Sequence, residues 1–369
     1  MKTPAALYPF CSQLLPVVKF FEDFQDKYAL KKLYSPSGFG LNGRDAAYSR
    51  NHPQIGITVA DRFNPGDQEW DVLILIRTTG IEKIEDTKLV EIAEYTLQSG
   101  KSVHFFDDSS ADVPKKMWTL SEAYPDKVKL YTGSLQTIVK RSFSSEEYTA
   151  VDIPVVLVGG LVEEADTFEV LLRLAAQLRA EGFNATAIAK HPVGQLFGLH
   201  TLNRIYERND LTEAQKILEL NRMLKNVEIS ERPNILLIEA PDAVKRYNDI
   251  APNGFGIRTY MLCQAVCPDY FICCVPCDLG VEGFLEAISR DFENRLSSPI
   301  HAVHVSNLVI DSMELLQSHR ISYIHTPLET VREQIANEGL DLHIPLFDVV
   351  GNGAEALCTH LCDVTMLKG

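Results

Sequence analysis

At 369 residues the chain is too long for one ordinary hydrophobic core and predicts two α/β domains of roughly 150 to 200 residues each. Its 35 Lys and Arg against 50 Asp and Glu leave a net charge of −15, which opposes a general nucleic-acid surface because phosphate backbones are held by clustered cations. With 46% hydrophobic and 23% charged residues the composition is globular, and no apolar run approaches the roughly 20 residues that cross a bilayer.

The opening MKTPAALYPFCSQLLPVVKFF is broken by Pro4, Pro9 and Pro16 and no small-residue cleavage site follows, so it reads as a first strand and helix of a cytoplasmic protein. Ala5 to Tyr8 predicts a strand, Gln13 to Asp26 a helix and Leu30 to Tyr34 a second strand. The run WDVLILIRTTG (70 to 80), a helix over Thr87 to Ser99, the Gly100 stop and a strand over Ser102 to Phe106 make one βαβ crossover. A polar stretch, Arg141 to Glu147, sets a domain boundary near 150, giving domains 1–150 and 151–369.

Strand Pro154 to Val158 opens the second domain and leads into glycines and a long helix. Further strands are predicted after Gly182, at Asn234 to Glu239, at Tyr270 to Val275 and at Ile300 to Val305. Helices are predicted at Leu211 to Leu224, Thr259 to Val266, Gly280 to Arg295, Asp311 to His319 and Leu328 to Glu338. This alternation predicts parallel sheets covered by helices.

The strand, Gly159-Gly160 and the following helix repeat the order of a phosphate-binding loop, G-x-x-x-x-G-K-[ST], in which helix N-terminal amides hold an anion. Gly160 and Thr167 occupy the outer positions, but Ala165 replaces the second glycine and Asp166 the lysine. With Glu163 and Glu164, the mouth carries up to three negative charges where a triphosphate would need a cation. First-turn helix capping is the preferred reading of these acids; a divalent cation or cationic peptide, and residual nucleotide binding through Mg²⁺, are the alternatives. Glu239 and Asp242, at the end of NILLIEAPD, are candidates for the acidic partner at a strand's carboxyl end.

Five segments, LYPF, SPSGFGLNGRDAAY (35 to 48), GGLVEEADTFEVLLRLAAQLRAEGF (159 to 183), QLFGLH (195 to 200) and NGFGIRTYMLCQAVCPDYFI (253 to 272), together resemble the peptide-maturation-system proteins of bacterial cassettes for modified ribosomal peptides. The resemblance implies a pathway, with a precursor peptide (often Cys-rich) or other maturation enzymes as partners, and transfers no catalytic residue. A homodimer is also compatible with it, and no cofactor is required.

Gly38, Gly40 and Gly43 spell G-x-G-x-x-G, with Asp61 eighteen positions after Gly43, yet little room remains for the helix that a dinucleotide fingerprint needs. A tight glycine loop is the preferred reading, with Arg44 able to hold an anion in either case. Among the eight cysteines, Cys263 with Cys267, Cys274 with Cys277, and Cys358 with Cys362 form spaced pairs that could converge on zinc or an iron–sulfur cluster. Buried reduced thiols are the preferred alternative, and chemistry on a Cys-rich substrate the third. His301 and His304 fall on opposite faces of a predicted strand, whereas His191, after a strand end, is the histidine placed for proton transfer. The sequence therefore predicts an N-terminal Rossmann-like α/β domain and a C-terminal P-loop-like α/β domain without its phosphate lysine. It predicts an accessory or scaffold function, with a nucleotide-dependent transferase or ligase and a thiol metalloprotein as rivals.

Overall fold

The computed structural model describes residues 2–77, 84–107, 113–132, 147–252, 254–278, 283–338 and 343–365. Most of the polar stretch 141–147 lies outside these residues. The chain divides into two compact units. One comprises Met1–Ser134 with His191–Arg204, the other Leu135–Lys190 with Ile205–Gly369. A single boundary near 150 assigned 191–204 to the second domain; the structure groups this segment with the first.

In the first unit, strands β1 (Thr3–Tyr8), β2 (Tyr28–Tyr34), β3 (Val59–Ala60), β4 (Val72–Arg77), β5 (Ser102–Asp107) and β6 (Val128–Tyr131) form one sheet in the order 3-2-1-4-5-6. Every pairing is parallel. That order is the doubly wound Rossmann order. β4 is buried along its whole length, as its unbroken apolar run requires of a central parallel strand. The single helix expected over 13–26 is instead two short pieces, α1 (Leu15–Lys19) and α2 (Phe21–Phe24). Phe20 interrupts them. Helices α3 (Asp86–Gln98) and α4 (Lys115–Ala123) follow β4 and β5.

The returning segment carries a short 3₁₀ turn, Pro192–Phe197, and the two-residue strand β9 (His200–Thr201). It is bound into the first unit by a buried hydrogen bond from Gln25 Nε2 to Leu196 O, 2.6 Å, and by the rings of Phe21 and Phe24 against Phe197.

The second unit is built on β7 (Val155–Gly160), β8 (Ala185–Ala189), β10 (Ile235–Glu239), β11 (Tyr270–Val275), β12 (Ala302–Val305) and β15 (Leu346–Phe347). They are ordered 15-12-11-7-10-8, and every pairing between them is parallel. α5 (Thr167–Ala180) joins β7 to β8, α6 (Asn203–Tyr206) precedes α7 (Glu213–Glu231), and α8 (Ile257–Ala265) leads into β11. α7 starts at a capping box in which Thr212 and Gln215 satisfy each other's amides, which fixes where the periodic apolar run becomes a helix. α9 (Phe284–Leu296), α10 (Ser312–Ser318) and α11 (Leu328–Glu338) complete the covering elements, and α10 is flanked by an antiparallel pair, β13 (Leu308–Ile310) and β14 (Tyr323–His325). A final helix, α12 (Ala354–Thr365), packs on α5. No helix among the described residues is long and apolar enough to cross a membrane.

Candidate functional site

The site follows from the sheet order. From the central strand β7 the chain leaves on one side through α5 to β8, while the later connection from β10 to β11 passes to the other side. The carboxyl end of β7 is thus the point where the winding reverses, the place where open α/β sheets leave room for ligands.

Two glycines shape that end. A Cβ on Gly159 would stand 2.5 Å from Val244 Cγ1, 3.2 Å from the Phe271 ring and 3.3 Å from Ala240 Cβ. A Cβ on Gly160 would meet Val162 O at 2.5 Å, where the loop doubles back toward α5. Both positions require glycine because backbone and neighbouring side chains approach closely. Gly159→Ala should therefore cost about 1–3 kcal/mol by overpacking. Faster amide exchange in β7 and β10, with the first unit unchanged, checks it.

Asp166 stands where a phosphate lysine would stand, and its structure overturns the capping reading for this residue. It is the N-cap of α5 by position, but its side chain makes no capping hydrogen bond. Its backbone is left-handed, φ 58°, a region that Asp tolerates better than most residues. The carboxylate turns inward, only 5% of the residue is exposed, and it accepts a hydrogen bond from Ser306 Oγ just beyond β12. His304 Nε2 stands 3.6 Å from the same carboxylate oxygen, while His304 Nδ1 is 3.2 Å from the Val349 amide, which donates to it. Within the loop, the Asp166 amide donates to Glu164 O (2.8 Å) and the Ala165 amide to Val162 O (3.4 Å). Two amides of the turn are thereby spent on the loop itself. Glu163 is exposed and Glu164 half-buried. The acid in the first turn of α5 is Glu169, wholly buried and paired with Arg173 at 3.0 Å.

Glu239 ends β10 fully buried. Its Oε1 accepts from Thr167 Oγ1 at 2.8 Å, and its Oε2 accepts from the Lys190 amide at 2.9 Å. The Lys190 ammonium lies 3.9 Å from Oε1 and donates to Glu163 O at 3.4 Å. A cation therefore does reach the loop, from the end of β8 rather than from the loop itself. Cys274 is buried beside this group, and burial together with the neighbouring Asp166 and Glu239 raises its thiol well above the ordinary range. It is a thiol at neutral pH and no nucleophile.

The remaining sequence candidates lie elsewhere or serve the fold. Asp242 holds the start of α8, accepting from the Arg258 amide (3.1 Å), the Thr259 amide (2.9 Å) and the Thr259 hydroxyl. A carboxylate so engaged at a helix start is a cap. His191 opens the segment that belongs to the first unit, and its carbonyl accepts the Gly194 amide. Gly38, Gly40 and Gly43 all have positive φ and follow β2, not β1, with no α-helix before β3. The dinucleotide fingerprint fails on that placement, since it belongs to the first βα turn. Arg44 stacks on Tyr48, 4.7 Å from the ring centre.

The six thiols do not converge. Cys263 and Cys274 are buried, Cys267 Sγ is 3.6 Å from Ser297 O, and the Cys277 thiol donates to Gln334 Oε1 at 2.6 Å. Only Cys358 and Cys362 belong to a cluster of ligating atoms among the described residues.

No family model matches the sequence, and no curated protein is similar to it at a significant level. Among solved structures, a DUF1611 family protein from Anabaena variabilis superposes with a TM-score of 0.63 at 14% identity, over 99% of both chains. The likeness is one of fold. It extends through both the Rossmann-like and the P-loop-like α/β units. A cobyrinic acid a,c-diamide synthase from Mycobacterium smegmatis, with bound ADP and magnesium, aligns at a TM-score of 0.33 and 11% identity, covering 57% of this chain and 92% of its own.

Lys190, His304 and Ser306 are the members of the site that loop spacing did not reveal. Each is at or just beyond the carboxyl end of a strand in the same parallel sheet, and that position is the signal by which they could have been found.

Proposed function

We propose that this chain is a cytoplasmic accessory protein of ribosomal-peptide maturation, in which the P-loop-like unit serves recognition of a precursor peptide or partner enzyme and does not turn over nucleotide. The observation that carries the non-hydrolytic part is Asp166, buried at the lysine position and fastened to Ser306. A triphosphate entering there meets a fixed carboxylate and a loop whose amides at 165 and 166 already have partners. The pathway rests on the five sequence segments that resemble peptide-maturation-system proteins.

One feature favours a second reading, nucleotide binding with a relocated cation. The hydroxyl and acid that would share Mg²⁺ in a phosphate loop, Thr167 and Glu239, face each other at 2.8 Å, and Lys190 stands beside them. Calorimetric titration with Mg·ATP and Mg·GTP separates the two. The accessory reading expects no heat of binding at tens of micromolar protein, and retention of the precursor peptide encoded in the same gene cluster. Micromolar nucleotide affinity that Lys190→Ala abolishes would establish the second reading.

A further inference from the structure

α12 lays Cys358 and Cys362 on one face, one helical turn apart, against the carboxyl end of α5, where Glu181 is the first residue past the helix. The two sulfurs and a Glu181 carboxylate oxygen all lie within 4.8 Å of one another. Cys358 is buried, Cys362 half-buried and Glu181 exposed, so the cluster has a closed floor and an open side. All three residues belong to the second unit, and both helices are among its regular elements.

We propose that Glu181, Cys358 and Cys362 form a three-ligand site for a thiophilic divalent cation, zinc first, with a fourth position open to solvent. Tetrahedral zinc with bonds of about 2.0–2.3 Å needs donors roughly 3.5–3.8 Å apart, which atoms all within 4.8 Å of one another reach by small side-chain rotations. Two sulfurs and a carboxylate select zinc over magnesium or calcium, which take oxygen. The carboxylate is already oriented, because Gln177 Nε2 donates to Glu181 Oε1 at 2.9 Å. Metal binding releases the two thiol protons to solvent. The site does not depend on the reading of the β7 loop.

Cobalt(II) titration of the full chain, stripped of metal and kept reduced, tests the site. One equivalent should bring thiolate-to-cobalt charge-transfer absorption with tetrahedral ligand-field bands, and one equivalent of zinc should erase both. Cys362→Ser, at a half-buried position that tolerates a polar atom, should weaken binding at least about tenfold and lower the charge-transfer intensity. Glu181→Gln should weaken binding by at least about tenfold with the charge-transfer bands retained. Cys267→Ser, at an exposed thiol outside this cluster, should leave the titration unchanged. Absence of charge transfer at one equivalent, or a titration that Cys362→Ser leaves intact, would overturn the proposal.

Discussion

Glu239→Ala should destabilise the second unit by about 3–5 kcal/mol, the cost of breaking a buried ion pair and leaving its partners behind. Glu239 is wholly buried, and three donors depend on it: the Thr167 hydroxyl, the Lys190 amide and the Lys190 ammonium. Removing the carboxylate leaves the amide and the hydroxyl without that acceptor and takes from the ammonium the negative charge 3.9 Å away. Glu239→Gln keeps an acceptor of the same shape and should lose roughly half as much. Both tryptophans of the chain, Trp70 and Trp118, lie in the first unit, so fluorescence does not follow this change. Amide exchange across α5 and β10 does. Protection within about 0.5 kcal/mol of wild type in Glu239→Ala would mean that the carboxylate does not hold this strand end together.

In the first unit the largest expected effect is one of pH. His104, on β5, is only 3% exposed, and its Nδ1 has no hydrogen-bond partner among the described residues. The edge of Tyr28 and the ring of Tyr131 pack on it at 5.2 and 5.7 Å. Burial, reinforced by Lys129 and Lys27, lowers its pKa from 6.5 to about 4. The folded state therefore holds the neutral ring while the unfolded chain takes up a proton below pH 6.5. Stability from this residue is complete above that pH and is lost as pH falls toward 4. Between pH 7 and pH 4.5 the loss should be about 2–3 kcal/mol. Urea unfolding followed by tryptophan fluorescence measures it, with His104→Gln as the reference that removes the titrating ring. Equal pH dependence in the two proteins would show that His104 carries no such linkage.

Much of the architecture was legible because central parallel strands must be apolar on both faces. β4, β7, β10 and β11 are buried at every position, and their sequences, VLILIR, VVLVGG, ILLIE and YFICCV, are continuous runs that periodicity analysis finds at once. The hairpin pair β13 and β14 and the edge strand β15 escaped, being two or three residues long and only partly buried, too short to show a period. α12 escaped for another reason: its buried stripe is Leu357, Cys358 and Leu361, so part of its helical register is carried by a cysteine, which reads as a ligand rather than as a core residue. At the site, loop spacing located Gly160, Asp166 and Thr167 but gave no direction to the Asp166 side chain. Only the fold, by bringing β12 alongside β11, supplies Ser306 and His304 as what that carboxylate faces.

The path of the chain through its two units has a consequence for how the protein is made. A ribosome that has released the first 150 residues has not yet released the strip that covers Phe21 and Phe24 or the carbonyl that Gln25 binds. Those groups stay wet until residue 204 emerges, by which time β7, α5 and β8 have already been synthesised. N-terminal maturation is thus held open across the synthesis of part of its neighbour, and a gene fragment ending at 150 would yield a polypeptide with an uncovered aromatic face, prone to precipitate.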